Sequence, residues 1–443
     1  MAKTRKNKGG KPVFAGAQGC IFIPPLKCKN RPRIMNHNFI SKLGYKKGSN
    51  MEMSEYMEII PYIKKIKNYE KYFNIRISSC EPDPLSSADL AAFDATCQNF
   101  GDDITAQTVN RNLDKLRAIN MPNLGTDLRV WMEQSQMDAR RICLLNDHIS
   151  KLLVNAVVPM NDLGIIHNDL KSENLMMNHA EAMLRIVDWG LAGFTRPYQI
   201  IPEHYFMNNP VSFNRPFSTM VIQTDINDLY QREIAQLPAK FEPEQLEPFI
   251  AEMYAKYRDL SPSSHSYWLH VFESIFKLNS DVLTGLVLNA AIEKYNAQIL
   301  HHFTSKGKFM LDEYFDKVYR YNTDVWGVMS VYYSIFMLPR EHFAVPDPVY
   351  AAMLQKYRDL FRKTVFANGH RRMNVRAIVQ ELQGINGMVF PQYRPRSPYM
   401  SQSQYRPRSH KKTVRFHGIA RKARHTLHRV PTPHPLKYVR EII

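Results

Sequence analysis

Two short polar runs, each set between apolar strand-like residues, constrain this chain more than anything else in it. The first is Ile166-His167-Asn168-Asp169-Leu170-Lys171-Ser172-Glu173-Asn174-Leu175. The second is Val187-Asp188-Trp189-Gly190, with Asp188 fourteen residues beyond Asn174. Asp169, Lys171, Asn174 and Asp188 thereby supply two carboxylates, an ammonium and a carboxamide from a loop and a nearby strand end. The fold must therefore gather polar groups between apolar elements.

The rest of the chain divides around this pair. Val13–Ile23 alternates about glycines as a two-stranded hairpin, His37–Leu43 reads as a short strand, and Glu52–Lys67 has helical spacing. A stretch containing cysteine and proline fills about 70–120 and ends in a strand over Leu113–Asn120. A long apolar-periodic helix covers Asp138–Asp162. Beyond Val187 helices dominate, at roughly 225–237, 243–258, 267–300, 309–320, 323–338, 347–365 and 374–383. Strands first and helices after, joined by a turn-rich stretch at 121–126, suit a two-lobed α+β protein with a cleft between its lobes.

Composition narrows the choice. Apolar residues make up 44% and aromatic residues 11% of the 443, enough for a substantial core. The five cysteines, Cys20, Cys28, Cys80, Cys97 and Cys143, are scattered without a CxxC pair. That pattern argues against a disulfide framework and a zinc site, and leads to the expectation of a reducing, cytoplasmic setting. No secretory signal is visible, and the most apolar windows, near Val282–Ile292 and Val325–Leu338, are too short to span a bilayer, so no membrane partner is expected. The formal charge of +18 belongs to the ends: residues 1–11 carry +5 and residues 391–443 carry +12, leaving +1 for 12–390. A tail can bind polyanions without determining the chemistry of the body.

Phosphoryl transfer needs a carboxylate to orient the substrate hydroxyl, oxygen ligands for Mg²⁺ on the nucleotide phosphates, and a cation for the transferring group. Asp169, then Asn174 with Asp188, and then Lys171 provide that set. These residues resemble the catalytic loop H-R-D-L-K-x-x-N and the D-F-G of eukaryotic-type protein kinases, with Asn168 in place of the arginine and Trp189 in place of the phenylalanine. The alternative, an accidental HxD…DxG in a helical protein, has to produce both motifs in order.

The resemblance implies a protein-kinase fold over 12–390. It has a small β-rich N-lobe at about 12–120, a helical C-lobe at about 126–390, and a helical insertion at about 225–320. It also implies ATP and Mg²⁺ as cofactors and a protein serine or threonine as acceptor, since Lys171 is the residue serine/threonine kinases use there. Gly16-Ala17-Gln18-Gly19 looks like an abbreviated glycine-rich loop with Phe14 where the first glycine is expected. Ile21 would then pack on the adenine. Lys42 in Phe39-Ile40-Ser41-Lys42 is the candidate phosphate lysine, with Lys27 as a rival. Glu55 is the expected ion-pair partner of Lys42, with Glu52 and Glu58 as alternatives. Met121 and Asn123 would form the hinge beside the adenine, and Asp127 would reach the ribose. Asp324, in Thr323-Asp324-Val325-Trp326-Gly327, resembles the aspartate that braces the catalytic loop; it also suits a helix N-cap. A-P-E is not found in clean form, and Asn214-Arg215-Pro216-Phe217-Ser218 would stand in for it.

The KTRKNKGGK start, the PPLKC element, the S-K-L context and the NRPFS segment also look like the divergent kinases of large DNA viruses of amoebae and algae. That resemblance would place the protein in a host cytoplasm or a virion. The tail at 391–443, with QYRPRS at 392–397 and again at 404–409, lacks the aliphatic residues of a core and reads as disordered. It suits a nucleic acid or acidic surface, or a solubilising extension in which Ser397 and Ser409 would accept phosphate in cis. Lys412–Phe416 resembles a short phosphatase-docking motif. Two other functions fit the sequence less well: a kinase-fold enzyme acting on small molecules, and an inactive scaffold with polyanion-binding tails.

Overall fold

The computed structural model describes residues 10–16, 19–32, 37–178, 183–195, 200–206, 212–238, 240–260 and 262–392. The loop tip at 17–18, most of the basic start and the tail from 393, with Ser397, Ser409 and Lys412–Phe416, lie outside them.

Mixed helix and sheet follow the expected order. Five strands form one antiparallel sheet: β1 (Lys11–Gly16), β2 (Gly19–Ile23), β3 (Phe39–Tyr45), β4 (Ser78–Cys80) and β5 (Leu116–Pro122), in the order β1-β2-β3-β5-β4. Alternation of side chains along a strand gives this sheet two unlike faces. Ile21 pairs with Lys42, which pairs with Ile119, and Ile40 pairs with Met121. Cys20 opposite Leu43 and Phe22 opposite Ser41 point the other way. Gly19 is needed where β2 meets β3, because a Cβ there would lie 2.7 Å from the Leu43 carbonyl oxygen.

The outward face is capped by residues 81–115, in which Leu85, Phe93, Phe100, Ile104 and Val109 close a small core over Phe22, Leu43 and Ala118. Two disulfides fasten this cap and the sheet: Cys20–Cys97, and Cys28–Cys80. This corrects the reading of the cysteines as unpaired thiols. The partners are 77 and 52 residues apart, so sequence spacing carried no sign of them. Cys143 alone is free, and it is buried.

Helix α1 (Lys46–Ile63) leaves β3 directly and buries Tyr56, Ile59 and Ile63 at i, i+3 and i+7. It starts six residues before the expected Glu52. Beyond the sheet, α2 (Ala139–Leu152) is capped by Asp138, which accepts from the Arg141 N–H at 2.8 Å, and buries Ile142, Leu145, Ile149 and Leu152. It runs on through a π turn to Asp162. The hairpin β6 (Leu175–Asn178) and β7 (Met183–Ile186) pairs Leu175 with Ile186.

Helices α3 (Thr224–Ile234), α4 (Glu247–Leu260), α5 (Pro262–Phe276) and α6 (Asp281–His302) follow. The single helix expected at 267–300 is two, because Ser280 accepts from the Leu283 N–H and caps a new start. The chain then passes through α7 (Arg320–Ser330), α8 (Asp347–Leu360) and α9 (Val375–Val389). The main core is built here from Trp268, Tyr295, Trp326, Phe361 and Phe366 among many others, and each such fully buried side chain contributes about 1.5–3 kcal/mol of transfer free energy. Among the described residues no single helix is long and apolar enough to cross a membrane.

Candidate active site

The loop that carries Asp169 is held from below by α7. Asp324, fully buried, accepts from the His167 N–H at 2.9 Å, the Asn168 N–H at 2.9 Å and the Asn161 carboxamide at 2.7 Å. Burial raises its pKa, while those donors and the His167 ring pull the other way. Asp324 lies inside α7 and is no N-cap. One turn on, Gly327 lets the loop rest on the helix, since a Cβ would stand 2.5 Å from the Leu170 carbonyl oxygen. Asn168 has φ +60°, in the left-handed region that asparagine tolerates better than arginine.

Asp169 is held by donors on both of its oxygens. Lys171 Nζ lies 2.9 and 3.2 Å from its two oxygens, Asn174 Nδ2 donates to Oδ2 at 2.9 Å, and Asn214 Nδ2 donates to Oδ1 at 2.8 Å. Asn214 also reaches the Leu170 carbonyl at 3.2 Å, and Arg215 Nε donates to the Asn168 carbonyl at 3.0 Å. Beyond the stand-in for A-P-E expected of their segment, these two residues clamp the loop. Their segment is anchored in turn. Trp326 Nε1 donates to the Phe213 carbonyl at 3.1 Å, and the Phe217 ring sits within 5.0–5.7 Å of Trp268, Tyr295 and Trp326. Helices α5 and α6 therefore hold the segment that orients Asp169.

Asp188 joins the same site. His167 Nε2 is 3.0 Å from the Val187 carbonyl, and the Val187 N–H donates to the Asn174 carbonyl at 3.1 Å. Trp189 is buried against His167 and Phe73, with ring centroids 5.0 and 6.0 Å away. Asp188 itself has φ +64°. Its Oδ1 lies 3.7 Å from Lys42 Nζ, which is 2.9 Å from Glu52 Oε2.

The carboxylate on Lys42 is thus Glu52, and Glu55 is not the partner. The helix starts at Lys46, and that phase turns Glu52 to the sheet. Burial opposes the charge on Lys42, but Asp188 and then Glu52 more than restore it, so its pKa lies above the ordinary value. Glu52 is itself raised, first by burial and, against the pull of Lys42, by the like charge of Asp188. Both directions follow from two carboxylates sharing one ammonium. Glu55 is pushed up to about 7 by burial and by Glu52 and Glu58, and its Oε2 is buried without a hydrogen-bond partner.

The remaining candidates fall into two groups. Ile21 and Met121 share the sheet face of Lys42, together with Ile40 and Ile119, which strand alternation could have revealed. Gly16 and Gly19 close the hairpin opposite one another. Asn123 and Asp127, by contrast, are engaged in backbone structure. The Asn123 N–H donates to the Asn38 carbonyl and its carboxamide bonds the His37 carbonyl and the Gly125 N–H, whereas Asp127 caps the helix Leu128–Glu133 through the Val130 N–H. Lys27 stands half-exposed on Asp83 at 2.5 Å, away from Asp188.

Among the described residues no group of three or more His, Cys, Asp and Glu is arranged around a common point. Asn174 spends its amide nitrogen on Asp169, and the Val187 N–H on its backbone carbonyl ties it to the residue before Asp188. One carboxylate and one amide oxygen fit Mg²⁺, which takes few protein ligands and fills its octahedron with phosphate and water.

No protein-family model matches the chain. A stretch of 48 residues, 11% of the chain, is 42% identical to a probable casein kinase II subunit alpha homolog of Encephalitozoon cuniculi (strain GB-M1), and it spans 15% of that protein's length. The similarity is local, and it points to a relationship with protein kinases.

Proposed function

We propose that the chain is a two-lobed, protein-kinase-like phosphotransferase that moves the γ-phosphoryl group of Mg·ATP to a protein serine or threonine. The observation that carries this reading is the convergence of Lys42, Glu52 and Asp188 beside the Asp169–Lys171–Asn174 loop. Bound Mg²⁺ would neutralise charge on the phosphates, and Asp188 with the Asn174 side-chain oxygen would hold it. Lys42, kept cationic by Asp188 and Glu52, would bind phosphate oxygens, and Ile21 and Met121 would flank a purine. Asp169, fixed by Asn174 and Asn214, would accept a hydrogen bond from the acceptor hydroxyl and orient it. Lys171 would offset negative charge on the group in transit. The finer resemblance to kinases of large DNA viruses and the polyanion-binding role of the tails belong to the same proposal and rest on sequence.

The test is transfer of labelled phosphate from ATP to a generic basic protein, with sugars and aminoglycosides as rival acceptors. The wild-type chain is expected to label serine and threonine, and Asp169→Asn and Asp188→Ala to abolish labelling. Mg·ATP binding without transfer to any acceptor would overturn the reading.

A further inference from the structure

The structure assigns a second, anion-binding site on the helical part, outside the cleft: a cavity of about 320 Å³ between the end of α8 and the start of α9. Its walls include Lys363, Thr364, Asn368, Arg371, Asn374 and Glu381, with Arg372 at the edge. Between residues 361 and 380 the chain carries Arg362, Lys363, Arg371, Arg372 and Arg376 and no aspartate or glutamate. Many surface cations of this protein are paired, as Arg129 is with Glu173, Lys256 with Glu252 and Arg320 with Asp316. Among the described residues no carboxylate lies within ion-pairing distance of Lys363, Arg371 or Arg376. Arg372 is fixed over the Tyr321 ring at 3.5 Å and donates to the Lys317 carbonyl, keeping its charge at the rim.

We infer that this cavity receives a phosphomonoester, and specifically a phosphoserine or phosphothreonine presented by a polypeptide. Three cations against the one carboxylate of Glu381 leave the lining at +2, which matches a phosphomonoester dianion rather than the single charge of a phosphodiester. A concave pocket also meets one compact group better than an extended backbone, which needs a long basic track. No aromatic ring lines it, so it lacks the platform on which a nucleobase stacks. Leu360, Met373 and Ala377 supply apolar wall for the carbon atoms that carry the phosphate. Arginine and lysine around a phosphate are the usual means of reading a phosphorylated side chain.

This inference does not depend on phosphoryl transfer, and its test contains no ATP. Fluorescence anisotropy of the full chain would follow a labelled neutral peptide bearing one phosphoserine, its unphosphorylated twin, and a short DNA duplex, with inorganic phosphate as competitor. Saturable binding of the phosphopeptide and not of its unphosphorylated twin, displaced by phosphate and weakened at least tenfold in Lys363→Glu/Arg371→Glu, is expected. Equal binding of the twin, a greater loss of duplex binding than of phosphopeptide binding in the double variant, or unchanged phosphopeptide affinity in a folded double variant would overturn the assignment. Glu381→Gln gives a second arm that keeps the cations: tighter phosphopeptide binding is expected, and unchanged affinity would count against the site.

Discussion

Lys42 Nζ stands between two carboxylates, 2.9 Å from Glu52 and 3.7 Å from Asp188, so the helix that follows β3 and the segment that follows β7 meet on one ammonium. Removing Glu52 leaves Lys42 paired only at the longer distance and frees it to swing toward Asp188. Glu52→Gln is expected to lower the turnover of ATP-dependent phosphoryl transfer by about 10²-fold, the usual scale for losing one preorganised electrostatic contact. Glu55→Gln, which touches neither Lys42 nor Asp188, is expected to change it by less than about threefold. Steady-state kinetics of the two variants side by side decide the matter, and the reverse ranking would refute the pairing.

Glu55 makes a separate prediction about pH. Its folded pKa of about 7 lies above the ordinary 4.5 because burial and two neighbouring glutamates penalise the anion. The folded state therefore holds a proton that the unfolded chain has released between about pH 4.5 and 7, and stability falls as pH rises through that window. Discounted for partial exposure, the loss is about 1–2 kcal/mol. Urea titrations from pH 4.5 to 8 are expected to show this component of the decline in the wild type and its absence in Glu55→Gln.

How far the sequence could be read is explained by these same residues. Motifs that are contiguous in the chain, such as His167–Asn174 and Val187–Gly190, announce their chemistry because one loop or one strand end sets their geometry. Glu52 and Glu55 are one helical turn apart, and choosing between them needs the phase of α1. That phase is fixed by the unbroken step from Tyr45 in β3 to Lys46, which no cap signal marks. The disulfides and the contact of Asn214 with Asp169 join residues 45 to 77 positions apart and leave no local trace. The Ser280 cap was visible as a serine followed by an aspartate, but the apolar spacing on either side masked the break.

The disulfides yield a stability prediction. Cys20–Cys97 ties β2 to the cap, and Cys28–Cys80 ties the segment after β2 to β4. Closing loops of this size typically stabilises by about 2–4 kcal/mol per bridge. Peptide mapping without reductant is expected to recover both linked pairs. Cys20→Ser/Cys97→Ser is expected to lower the denaturant midpoint of the sheet and its cap more than that of the helical part. An identical midpoint in both parts would show that the bridge does not support the cap.

Asn214 separates orientation from binding. Its carboxamide fixes Asp169 Oδ1, yet among the described residues it makes no hydrogen bond to Lys42, Asn174 or Asp188. Asn214→Ala is expected to reduce kcat about tenfold, near the net worth of one hydrogen bond to a charged group, with KM for ATP unchanged. A rise in KM for ATP at constant kcat would place Asn214 in nucleotide binding instead.

The same clamp bears on regulation. In kinases that depend on activation-loop phosphorylation, the arginine before the catalytic aspartate meets the phosphate through charge-assisted bonds. Here that position is Asn168, buried and held in the left-handed region by the two backbone bonds to Asp324. Its carbonyl is taken by Arg215 of the segment 212–217. Asn214 and Phe217 pin that segment to Asp169 and to the aromatic cluster of α5, α6 and α7 without any modification. Phosphatase treatment is therefore expected to leave phosphoryl transfer unchanged, whereas Phe217→Ala is expected to reduce it by loosening the anchor. Activity that disappears with the phosphate and returns on rephosphorylation would mean that these contacts do not by themselves order the segment.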